Sequence, residues 1–125
     1  PDVGLGEVTR VLFVWGKARK RSPTAVEVAR GWYCLEPDLA GLSRDADELI
    51  TAEHVAWADV IMVMEPRHKK RLKNAPGGML TDTKVVTLGI PDRFEFMDDV
   101  LVDRLREILR HHFGPPDFGA KNEAL

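Results

Sequence analysis

A chain of 125 residues, 44% apolar and 30% charged, has the material for one buried core and no second domain. Its formal net charge of −2 excludes a general affinity for nucleic acid or anionic membranes, so anion binding must come from a local patch. A single cysteine excludes an internal disulfide, no apolar run approaches the ~20 residues of a membrane span, and no basic-then-apolar leader precedes the domain; the cytoplasm is the expected compartment.

Residues 1–9 have no pattern and read as a lead-in to one domain over 10–113, with 114–125 as a tail. "RVLFV" (10–14) is a short β-branched run of the kind that forms a strand buried on both faces. "WGKARKRS" (15–22) is the loop after it, and "SPTAVEVARGWYCLE" (22–36) predicts a helix. Ser22 is its expected N-cap and Pro23 its first helical residue, with Ala25, Val28, Ala29, Trp32 and Leu35 on one face. "DLAGL" (38–42) suits a second short strand. "TAEHVAWA" (51–58) predicts a short helix capped by Thr51, leading into a buried strand at "DVIMVM" (59–64). "EPRHKKRLKN" (65–74) is helical with a basic outer face, "APGG" (75–78) a turn, and "KVVTLG" (84–89) the last strand. After the loop "IPDRFEFMD" (90–98), Asp98 or Asp99 caps a helix with a stripe of Leu101, Leu105, Ile108, Leu109 and His112. Asp103, Arg106, Glu107 and Arg110 on its other face have spacings that favour ion pairs.

Strands alternating with helices predict a parallel sheet covered on both faces, with ligands at the carboxyl ends of the strands. Loops 15–22, 65–67 and 89–98 should therefore meet on one edge. In the first of them Gly16 and Ala18 leave room for a phosphate, backbone N–H groups can turn inward as an anion nest, and the next helix brings its positive end beneath. Arg21 has the planar fork that grips two phosphate oxygens. The bland alternative is a solvated basic loop.

These residues resemble the low-molecular-weight protein tyrosine phosphatases, in particular a short bacterial branch. That family has a strand, then Cys, five residues, Arg, Ser or Thr, and Pro; here the frame is "VLFV", Trp15, five residues, Arg21, Ser22, Pro23 and "TA". The resemblance continues through "AGL" (40–42), "WADVIMVME" (57–65) and "IPDRFEFMD" (90–98), covering roughly residues 10–113. It implies an α/β fold of three layers, a four-stranded parallel sheet flanked by helices, of the phosphotyrosine protein phosphatase I type. It also implies that Gly16, Lys17, Ala18, Arg19, Lys20, Arg21 and Ser22 surround a phosphate. Arg21 would hold the phosphoryl oxygens, Asp92 would be the general acid (Asp98 and Asp99 lie nearby), and Phe94, with Phe96 beside it, would be an aromatic wall. No metal or cofactor is implied.

The departure is Trp15. It stands where the family has its nucleophilic cysteine, and an indole has no route to a covalent phosphoenzyme. Ala18 replaces the Asn that braces the loop, and Lys17, Arg19 and Lys20 make it more cationic than the chemistry requires. Cys34, expected late in the first helix, is too distant to substitute. His54 and His68 are expected at the surface, and His111 and His112, adjacent on a helix, point about 100° apart and cannot readily share a metal. The sequence therefore favours a phosphatase-fold protein that has lost hydrolysis and binds a phosphate-containing ligand or phosphoprotein, for binding or regulation. Two alternatives stand beside it: a hydrolase of phosphomonoesters working through water or Ser22, and a nucleic-acid-binding protein. The latter would join the basic loop to "RHKKRLK" (67–73), which otherwise is an ordinary solvated helix face.

Overall fold

The computed structural model describes residues 8–16, 21–44, 46, 48–73, 84–91 and 93–116, with backbone alone at 21 and 22. Along the described residues run β1 (Thr9–Trp15), α1 (Arg21–Ala29), β2 (Leu35–Gly41), α2 (Ala52–Trp57), β3 (Val60–Val63), α3 (Pro66–Lys73), β4 (Lys84–Thr87) and α4 (Asp99–Phe113). The strands make one parallel sheet in the order β2-β1-β3-β4. This is the three-layer architecture that the strand–helix alternation predicts.

Side-chain alternation along β1 divides the core. Val11, Phe13 and Trp15 belong to the apolar cluster shared with α1 and α4, while Leu12 and Val14 belong to the one shared with α2 and α3. All five are buried, which is why the run is continuously apolar rather than alternating. Leu101, Leu105 and Leu109 close the first cluster from α4, and Val55 and Leu72 close the second from α2 and α3. Each such side chain contributes about 1.5–3 kcal/mol by leaving water.

The helix expected to run to Glu36 stops at Ala29. Its last turn tightens, with Gly31 N–H donating to Val28 O at 3.1 Å and Trp32 N–H to Ala29 O at 3.0 Å. The chain then turns back, because the open edge of β1 offers a ladder: Thr9 through Trp15 pair in register with Leu35 through Gly41. The five apolar positions assigned to one helical face are all buried, three from the helix and two, Trp32 and Leu35, from the segment after it. At its other end α1 begins at Arg21, so Ser22 and Pro23 lie inside the first turn.

Thr51 caps α2 as expected, and its own N–H donates to Nδ1 of His54 at 2.9 Å in a reciprocal capping box. Asp98 is the cap of α4, accepting from Val100 and Leu101 N–H. The predicted ion pairs form between Asp103 and Arg106 and between Glu107 and Arg110, at 3.9 and 4.0 Å on an exposed face where such pairs are weak. Two histidines depart from expectation. His68 is 2% exposed instead of lying on the surface, because its ring folds back to accept the Glu65 N–H at 3.1 Å. His112 is exposed rather than part of the stripe, since α4 has passed the end of the sheet by its last turn. His54 is only 14% exposed at its side chain, beside Glu48.

Candidate functional site

The chain leaves β1 towards α1 on one face of the sheet and leaves β3 towards α3 on the other. That divergence opens a crevice at the carboxyl ends of β1 and β3, where open parallel sheets bind ligands. Backbone bonds draw the edge together: Leu42 N–H to Trp15 O (2.8 Å), Ser43 N–H to Gly16 O (2.7 Å), Met64 N–H to Val14 O (3.2 Å) and Ile90 N–H to Met64 O (2.8 Å). The loops after all four strands therefore meet here.

Trp15 is the last residue of β1, 4% exposed, its side chain in the same apolar cluster as Phe13, Ile90 and Phe94. The strand's own alternation sends it there, two residues beyond Phe13 on the same face. Gly16 comes next, and a Cβ built on it meets no atom within 4 Å, so the start of the loop opens to space. Lys17, Ala18, Arg19 and Lys20 lie outside the described residues, as does Asp92. Arg21 and Ser22 form the first turn of α1, whose positive end faces the crevice because the helix follows β1 directly.

The 90–98 loop crosses the same edge. Phe94 is buried at 7% exposure, with the Arg93 guanidinium 5.1 Å from its ring centre, whereas Phe96 is 54% exposed. The ring open to a ligand is thus Phe96, and Phe94 anchors the loop in the core. A residue absent from the sequence-derived site fixes this loop to α1. Thr24, fully buried, accepts the N–H of Met97 at 2.9 Å. Nothing local announces that role, since the partner lies 73 positions away. At the mouth of β3, Glu65 and His68 form a second unforeseen pair: the Glu65 N–H donates to the ring, and Glu65 Oε1 accepts from Arg67 at 3.1 Å. The spacing Glu-Pro-x-His, with Pro at the first helical position, was the available signal for that cap.

Cys34 sits in the turn before β2, its carbonyl accepting the Thr9 N–H at 2.8 Å. That is the amino edge of the sheet, the length of β1 from the crevice, roughly 20 Å at ~3.3 Å per residue. It cannot stand in for a nucleophile after Trp15. His111 and His112, at the far end of α4, are also remote. Among the described residues no group of three His, Cys, Asp or Glu is placed to hold a metal, and no helix is long and apolar enough to cross a membrane. Of the α3 cations, Arg71 donates to Leu42 O at 3.0 Å and Arg67 to Glu65, so both are engaged within the protein.

No protein-family model and no curated protein matches the sequence. Solved structures do. The low molecular weight protein tyrosine phosphatase of Streptococcus pyogenes superposes with a TM-score of 0.67 at 17% identity, over 83% of this chain and 93% of the other. The chain has the fold of the low-molecular-weight protein tyrosine phosphatases. The tyrosine phosphatase Wzb of Escherichia coli K30, solved with phosphate, gives 0.65 at 18% identity over 84% and 96% of the two chains. The YwlE arginine phosphatase of Geobacillus stearothermophilus gives 0.61 at 21% identity over 83% and 94%. This phosphatase fold spans nearly the full length of each relative, so the crevice between β1 and β3 has its counterpart in all of them.

Proposed function

We infer that this protein binds a phosphate group carried by a small molecule or a phosphoprotein, and does not hydrolyse it. The observation that carries the reading is Trp15, buried at the end of β1 where the phosphatase frame places its nucleophile. A tryptophan there offers neither lone pair nor proton for covalent catalysis. What surrounds it still favours an anion: an open Gly16, the positive end of α1, and the cationic run Lys17, Arg19, Lys20 and Arg21, with Ala18 and Ser22 completing the cradle. Wzb of E. coli K30, solved with phosphate, supports the ligand class by analogy of fold. In this reading Arg21 supplies the bidentate grip and Asp92 is a vestigial acid, with Phe96 the ring next to the ligand.

The test pairs binding with turnover. Wild-type protein should bind inorganic phosphate, lose most of that binding in Arg21→Ala, and leave an aryl phosphate ester intact. Trp15→Cys should begin to cleave the ester if the cradle is otherwise preserved. Hydrolysis by the wild type that disappears in Arg21→Ala and Asp92→Ala would replace this reading with that of an active phosphatase.

A further inference from the structure

Thr24 and Met97 form the one described link between the first turns of α1 and the middle of the 90–98 loop. Thr24 stands three residues after Arg21 and is completely buried, so its hydroxyl oxygen must be satisfied inside the protein. It accepts the Met97 N–H at 2.9 Å. Met97 has φ +60, the left-handed region that a side chain disfavours, and among the described residues no other non-glycine has a positive φ. Its side chain is 42% exposed, so packing alone does not hold it there. On either side the chain is already fixed: Asp98 N–H donates to Glu95 O at 3.1 Å, and the Asp98 carboxylate caps α4. Met97 is thus a strained residue between two anchored points, with its amide tied to the helix that begins at Arg21.

We propose that Thr24 is a positioning residue that couples anion binding at the start of α1 to the conformation of the 90–98 loop. This rests on the phosphate-binding reading above. An anion held at the first turn fixes α1 and with it the Thr24 hydroxyl. The Met97 amide then stays bonded, and the exposed Phe96 beside it is presented in one orientation. Without the anion the first turn loosens, the hydrogen bond opens more often, and Met97 relaxes out of the left-handed region. The strained residue makes the loop two-state, which is what allows occupancy to shift its population. The hydroxyl does not itself touch the ligand in this scheme.

The experiment is residue-resolved amide exchange on the full chain, with and without inorganic phosphate, alongside phosphate titration. In the wild type, phosphate should slow exchange at Met97. Thr24→Val, which keeps the shape but removes the acceptor, should raise Met97 exchange about fivefold or more and abolish its phosphate dependence. By reciprocity it should weaken phosphate binding by no more than the factor by which phosphate slows wild-type exchange. Thr24→Ser should behave as wild type, and Met97→Gly, which keeps the amide and removes the strain, should exchange more slowly than wild type. The coupling is overturned if phosphate binds and Met97 exchange does not change, and the clamp is overturned if Thr24→Val leaves that exchange unaltered. Absence of phosphate binding to the wild type defeats the proposed function and the coupling together, while Thr24→Val still decides the clamp on its own.

Discussion

Replacing Trp15 by Ala tests whether the indole belongs to the core, and the structure sets the size of the answer. A tryptophan buries about 150–250 Å², and here only 4% of the residue is exposed. At roughly 25 cal/mol per Å² the transfer term is about 4–6 kcal/mol as an upper value, in line with the 3–5 kcal/mol that large-to-alanine core changes usually lose. Domains of this size have about 5–15 kcal/mol in total, so the variant should be folded only marginally. Urea denaturation should show a midpoint lowered by that amount with the slope unchanged, and Trp15→Phe should lose distinctly less. A loss below about 1 kcal/mol would refute the placement, because it would mean that the indole turns out of the cluster shared with Phe13 and Ile90. The result also governs the Trp15→Cys assay: its activity should be measured at low temperature, where a destabilised fold still predominates.

Trp32→Phe removes the Nε1–H that donates to Gly114 O at 2.8 Å; it should lower stability by about 1 kcal/mol and speed amide exchange at the end of α4. Asp98→Ala removes a carboxylate that accepts two N–H groups at the start of α4 and should lose about 1 kcal/mol, with Asp98→Asn losing less, both by thermal melting. His112 is held below its ordinary pKa by partial burial, then by His111 and Lys84. The unfolded chain therefore takes up that proton first, so stability should fall as pH drops below 6.5, and His112→Gln should flatten the lower part of a stability-against-pH curve.

Legibility along the chain followed the range of the forces involved. β1 and β3 were readable because strands in the middle of a parallel sheet must be apolar on both faces. The Thr51 cap was readable because capping is settled within four residues. The end of α1 was not, since helix and strand both bury Trp32 and Leu35, and only the free edge of β1 decided between them. His68 looked like one more polar residue in a basic helix until the Glu65 amide gave its ring a partner. In the candidate site the frame Trp15 to Pro23 was visible in full, whereas the Thr24–Met97 bond, spanning 73 positions, left no local trace.

By itself the sequence determined the alternation of strand and helix, the cationic loop between β1 and α1, and the tryptophan at its threshold, because these follow from hydrophobic period, charge and side-chain chemistry at adjacent positions. Tertiary structure alone decided that Cys34 lies at the opposite edge of the sheet, that Phe96 rather than Phe94 is open, and that the 90–98 loop is fastened to α1. Those outcomes depend on which distant residues compete for the same buried space and the same hydrogen bonds, and that competition exists only once the sheet has assembled.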